Sequence, residues 1–142
     1  MTGTQQRYSP AEGIATQMDQ TQRFPTELRL SDRGARLRVT FEEGEQFTMS
    51  AQYLRVHSPS AEVRGHGPGQ EVLQTGKENV VIAEIEPVGN YAVRLRFSDG
   101  HDTGLYSWKL LYDLGSNHDT YWARYQQRLA EAGEKDGNTD GD

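Results

Sequence analysis

Residues 88–115, VGNYAVRLRFSDGHDTGLYSWKLLYDLG, constrain this chain most, because they read as strand, tight turn, strand and short helix without a break. Tyr91, Val93, Leu95 and Phe97 alternate with Ala92, Arg94 and Arg96, the two-residue period of a strand with one buried and one wet face. Ser98-Asp99-Gly100-His101 supplies an Asp-Gly turn of the type I′ kind, in which both central residues take positive φ. Asp102 to Tyr106 then return as the partner strand. Ser107 is placed to cap a helix carrying Trp108, Leu111, Tyr112 and Leu114, with Gly115 as its end.

Upstream, Phe24-Pro25 opens the domain, since proline holds its neighbour extended. Leu28 and Leu30 share one face of a first strand, Asp32-Arg33-Gly34 turns the chain, and Leu37, Val39 and Phe41 share one face of a second. Glu42-Glu43-Gly44-Glu45 makes the next turn, and Phe47 and Met49 fall on a short third strand that completes a meander. Ser50 can cap a short helix through Ala51, Gln52, Tyr53, Leu54 and Arg55, which must stop near Ser58-Pro59. Residues 58–77, with four glycines and two prolines, form a long loop, a length that in a compact domain is functional or disordered. Val80 to Ile85 is apolar on both faces and reads as a central strand. Ser116 and Asp119 have capping-box spacing for a last helix, whose Trp122, Tyr125 and Leu129 share one face and dock it.

At 142 residues the chain is long enough for one domain with a core and short for two. The divisions expected are a disordered leader over residues 1–23, a globular domain over 24–115, a docking helix over 116–131 and a disordered acidic tail over 132–142. Residues 131–142 hold five acids and one lysine, so -4 of the net charge of -6 lies there and -2 is left for residues 1–130. A nearly neutral domain argues against nucleic acid as a partner. No apolar run approaches the roughly 18 residues of a membrane span, and the N-terminus lacks a charged segment followed by an apolar one. A soluble, cytoplasmic protein is expected. With no cysteine, the chain offers no disulfide, thiolate ligand or cysteine nucleophile of its own.

His57 and His66 bracket the glycine-rich loop, and His101 sits at the hairpin turn beside Asp102. Three imidazoles and a carboxylate could hold zinc or iron if the fold gathered them, although no pair has helical i, i+4 or His-x-Asp spacing. The run Gly65-His66-Gly67-Pro68-Gly69 beside Arg64 resembles an anion cradle only loosely, since Pro68 removes one amide; a turn-rich connection explains it better. Ser58, Ser60 and Ser107 lie near histidines in sequence, but no Gly-x-Ser-x-Gly elbow accompanies them. Glu42-Glu43 and Glu84-Glu86 read as a turn and the wet face of a strand.

SAQYLRVHSPSAEVRGHGPGQ and the organising stretch together resemble the gamma-butyrobetaine hydroxylase-like N-terminal domain family, over about residues 24–115. The order of parts carries the resemblance: Leu54-Arg55 before Ser58-Pro59, a long loop, then Asp99-Gly100-His101 and Tyr106-Ser107-Trp108 at a helix start. It implies an α+β fold, a small mostly antiparallel β module with short helices, here with a C-terminal helix. The family occurs alone in bacteria, ahead of 2-oxoglutarate-dependent hydroxylases and attached to iron–sulfur carrier ATPases. In the hydroxylases it is similar to an accessory zinc domain with a Cys-x-Cys-x-x-Cys pattern and one histidine. The matching positions here are Ser58, Ser60 and Val63, with His101 at the histidine. Serine is a poor zinc ligand and valine none.

The expectation is thus a non-enzymatic accessory or protein-interaction module without a required cofactor. Its surface would comprise Arg55, His57, Arg64, His66, His101 and Asp102. The resemblance suggests an iron–sulfur carrier or an oxygenase as protein partner, and exposed hairpin edges suggest a homodimer. The alternative is a zinc- or iron-binding protein using His101 with His57, His66 or Asp102. An acid–base enzyme built on the histidines would need a deep pocket at the loop.

Overall fold

The computed structural model describes residues 7–8, 23–65 and 71–139. Alternation builds the first sheet: strands β1 (Arg7–Tyr8), β2 (Pro25–Ser31), β3 (Arg36–Phe41) and β4 (Gln46–Ser50) pair antiparallel in that order. Leu28 and Leu30 of β2, Leu37, Val39 and Phe41 of β3 and Met49 of β4 are buried, while the residues between them are not. The leader lies outside the described residues except for Arg23 and for Arg7 and Tyr8, which pair with Arg29 and Leu28.

A second antiparallel sheet contains β5 (Ile82–Val88), β6 (Ala92–Phe97) and β7 (Leu105–Ser107), in that order. The central strand is therefore β6, and β5, expected at the centre, lies at the edge. Its Ala83 and Glu84 are exposed, and Pro87 lacks the N–H that a second neighbour would need. Glu84 and Glu86 instead pair with Arg96 and Arg94 across the wet face. The return strand is shorter than Asp102–Tyr106, and Tyr91 is 57% exposed while Ala92 takes a buried place.

Two of the hairpin loops, β3–β4 and β6–β7, share one form. Gly44 N–H donates to the Phe41 carbonyl at 2.9 Å and Phe41 N–H to Glu45 at 2.8 Å. Gly100 repeats this to Phe97 at 3.0 Å, and Phe97 to His101 at 3.0 Å. Each is a three-residue loop closed by a glycine bulge, with φ of 102° at Gly44 and 92° at Gly100. Asp99 is not at positive φ, so the expected type I′ turn is replaced by this longer one.

Four helices are described. Ser50 Oγ accepts Tyr53 N–H at the start of α1 (Ala51–Val56), and Ser60 Oγ accepts Glu62 N–H at the start of α2 (Ala61–Arg64), which lies within the expected long loop. Ser107 Oγ accepts Leu110 N–H for α3 (Trp108–Ser116). Gly115 does not end that helix; a Cβ there would overlap the Phe47 ring, so its role is close approach. Asn117 makes the break, its amide Nδ2 donating to Asp113 Oδ1 at 2.8 Å, and α4 (His118–Thr139) follows directly. The Ser116–Asp119 capping box therefore does not form, because Ser116 belongs to the preceding helix. The last helix also runs past the expected end at residue 131, to Thr139, although Gly133 and Gly137 lie within it.

Both sheets contribute to one core, in which Leu28, Leu37 and Val39 join Ile85, Val93 and Leu95. Tyr53 OH donates to the Leu114 carbonyl and Tyr106 OH to that of Leu54, each at 2.6 Å, fastening α3 to α1 and β7 to α1. The architecture is α+β. Among the described residues no helix is long and apolar enough to cross a membrane.

Candidate functional site

Where α1 ends, Ser58-Pro59-Ser60 lays two hydroxyls against the segment after the second hairpin loop. Ser58 Oγ lies 2.9 Å from His101 Nε2, and His101 Nδ1 lies 3.1 Å from Glu62 Oε1. The Nδ1–H tautomer satisfies both contacts, since Ser58 then donates to Nε2 and Nδ1–H donates to the carboxylate. Ser58 Oγ also accepts the Ser60 N–H at 3.2 Å, and Ser60 Oγ meets Thr103 Oγ1 at 2.7 Å. These bonds tie His101 and Thr103, ahead of β7, to the connection after α1. Burial pushes the His101 pKa down and the Arg55 cation adds to this, against a smaller opposing pull from Glu62. The imidazole is neutral near pH 7.

The distances resemble a serine, base and acid in series, yet the exposure is reversed. Ser58 is 1% exposed, whereas the Glu62 side chain is 66% exposed. A nucleophile must reach substrate, and the acid behind the base is the member that is buried. This arrangement acts as a clasp between the α1–α2 connection and the hairpin.

Beside it, Arg55 is buried and donates from Nε to Asp99 Oδ2 at 2.9 Å and from Nη1 to Gln74 Oε1 at 3.0 Å. Lys77 Nζ reaches the same Oδ2 at 2.8 Å, and His101 N–H donates to Asp99 Oδ1 at 3.2 Å. Burial raises the Asp99 pKa, but Lys77, the His101 amide and Arg55 outweigh it and bring the carboxyl down to about 2. Sequence reasoning missed this node and Glu62; the Asp-Gly pair signalled a turn without indicating which cations would meet its carboxylate.

A cleft of about 540 Å³ opens beside the clasp, lined by Ser58 and Gln74 as well as by His57 and Val72 and by Tyr121 and Tyr125 of α4. His57 Nδ1–H donates to the Tyr53 carbonyl at 2.8 Å, and its ring lies 4.6 Å from that of Tyr53. Burial lowers the His57 pKa, with smaller contributions from Arg124, His118 and Arg128. Arg64, Arg124 and Arg128 also line the cleft. A second cleft, of about 940 Å³, is faced by Phe24, Tyr91, Trp108 and Tyr112, and Arg23 there is engaged by Glu43 and Glu45.

The profile of the family described as gamma-butyrobetaine hydroxylase-like, N-terminal, matches residues 28–112. The chain belongs to this family. Two solution NMR structures are similar to this gamma-butyrobetaine hydroxylase-like domain. One is 53% identical, with TM-score 0.69, covering 85% of this chain and 89% of its own. The other is 46% identical, with TM-score 0.68, covering 79% and 88%. A crystal structure of a protein with unknown function of the DUF971 family, from Acidithiobacillus ferrooxidans, is 35% identical with TM-score 0.53, covering 64% of this chain and 91% of that one. No curated protein matches the chain.

Within this gamma-butyrobetaine hydroxylase-like domain, the positions at which the resemblance implies zinc ligands, Ser58, Ser60, Val63 and His101, are all buried. They do not fit the metal: two are hydroxyls bonded within the clasp, one is hydrocarbon, and both His101 ring nitrogens are engaged. Among the described residues no group of three or more His, Asp or Glu gathers as a metal site. Of the expected surface, Arg55 and His101 are corrected to interior residues, drawn in by Asp99 and by Ser58 and Glu62. His57 and Arg64 reach the first cleft, Asp102 is half-buried at the hairpin, and His66 lies outside the described residues.

Proposed function

We propose that the chain is a non-enzymatic accessory domain that binds a protein partner through the cleft between α1 and α4. The observation that supports this reading is the contrast between two neighbouring sites. The clasp contains groups suited to acid–base chemistry but seals its hydroxyl from solvent. The cleft is open and presents aromatic rings, exposed Val72 and arginines, a composition suited to recognition. The family resemblance suggests the partner class, an iron–sulfur carrier ATPase or a 2-oxoglutarate oxygenase.

The test is a titration of the isotopically labelled full chain with one purified member of each class from the same organism, followed by amide chemical shifts. Shifts centred on His57, Val72, Tyr121 and Arg124 are expected with one of them. Silence with both classes would remove the partner assignment. A turnover abolished by Ser58→Ala with the fold intact would make the domain an enzyme.

A further inference from the structure

This inference rests on the protein-binding reading above and narrows it. We propose that the α1–α4 cleft docks an acidic segment of the partner, with carboxylates one helical turn apart meeting Arg124 and Arg128 and an apolar side chain between them resting on Tyr121 and Val72.

Charge placement carries the argument. In a chain of net charge -6, Arg23, Arg36, Arg55, Arg94 and Arg96 each face a carboxylate within the fold. Among the described residues Arg64, Arg124 and Arg128 form no ion pair, nor do Arg33, Arg38 and Lys109, and of these six the first three line this cleft. Two acids line it as well. Asp113 accepts the Tyr121 hydroxyl at 2.9 Å and the Asn117 amide at 2.8 Å, and Glu71 is exposed, so the lining arginines outnumber the acids by three to two. The Arg124 guanidinium lies 5.4 Å from the centre of the Tyr121 ring, which holds the cation on the cleft wall. The charges of Arg124 and Arg128 also depress the His57 pKa, so their field reaches that wall.

Arg124 and Arg128 are four residues apart on α4, which sets their backbones about 6 Å apart along the helix axis. Two cations at that separation, with Arg64 also lining the cleft, match carboxylates one helical turn apart better than a single small anion. Val72, 52% exposed, supplies an apolar contact that a purely ionic ligand would leave unused.

The experiment is fluorescence anisotropy on the full chain with a labelled synthetic peptide in which glutamates at i and i+4 flank a leucine. The control peptide replaces both glutamates with glutamine. Saturable binding is expected, about tenfold or more weaker for the glutamine peptide and for Arg124→Glu/Arg128→Glu, and weakening as salt is raised. Arg124→Lys/Arg128→Lys should retain most of it, and unchanged thermal melts would show that the variants fold.

Equal binding of the two peptides, or indifference to the arginine changes, overturns the proposal. So does a single-stranded oligonucleotide that binds as tightly as the peptide. Self-association of the chain abolished by Arg124→Glu/Arg128→Glu would place a second copy in the cleft and overturn it too. If a carrier or oxygenase binds the wild-type and doubly substituted chains equally, the accessory-domain reading stands and this docking site falls.

Discussion

Gly104 has no need of a positive φ, yet a Cβ there would collide with Ser58 Oγ and come within 3.2 Å of Pro59 Cδ and the Tyr106 ring. None of these neighbours can yield freely, because Ser58 is bonded to His101 and Tyr106 to the Leu54 carbonyl. Gly104→Ala should therefore open the clasp, at a cost of about 1–3 kcal/mol. Urea denaturation checks this, and unchanged stability would mean that the Ser58–His101 bond holds nothing in place. His101 and Ser58 could be singled out from the sequence because histidines are few and the serine follows a helix stop. Their pairing could not, since 43 residues separate them and only the closed fold brings them together. Glu62 stayed invisible for the same reason, being 39 residues from the ring it accepts from.

Three helix starts depend on serines whose hydroxyls accept an amide two or three residues ahead, and such local chemistry was open to sequence reading at Ser50 and Ser107. Strand order was not, because the placement of β5 at the edge is decided by what packs beside it. Turns divide in the same way. Gly100 has φ of 92° and open space around its Cβ position, so Gly100→Ala meets backbone strain alone, about 1–2 kcal/mol. Gly34 has φ of 88° and would also thrust a Cβ into the Ile82 carbonyl oxygen, where the β2–β3 hairpin abuts the second sheet. Gly34→Ala should be the more damaging change, with a lower urea midpoint than Gly100→Ala; the reverse order would refute this account of the junction. The hold on α4 is concentrated at Tyr125, which is buried and donates its hydroxyl to the Gln74 carbonyl. Tyr125→Ala should cost about 3 kcal/mol and accelerate amide exchange along α4 while the β6 amides keep their protection.

The two sheets share one hydrophobic core, whereas the polar ties between α1, the loop before β5 and the second hairpin meet at Asp99 and His101. That division explains why an α+β module was legible from periodicity and motif order while the interior position of Arg55 was not: a buried guanidinium requires a carboxylate that the sequence places 44 residues away. It also gives the fold two separate sensitivities to acid. His57 and His101 have folded-state pKa values below 6.5, their ordinary value, chiefly because both are buried. As pH falls through 6.5 the unfolded chain takes up protons that the native state resists, so the unfolding free energy declines below that pH. Asp99 acts lower, because its carboxyl titrates at about 2 in the fold against 3.8 when free, and its contribution is lost as pH falls across that interval. Urea unfolding at a series of pH values should accordingly show stability level above about pH 7, a first decline below 6.5 and a second below 3.8. His57→Gln/His101→Gln should flatten the first decline and leave the second, whereas Asp99→Asn should remove the second, even if it lowers stability throughout by leaving Arg55 buried without its carboxylate. Stability that rises as pH drops from 7 to 5.5 would contradict the neutral, buried state of both imidazoles.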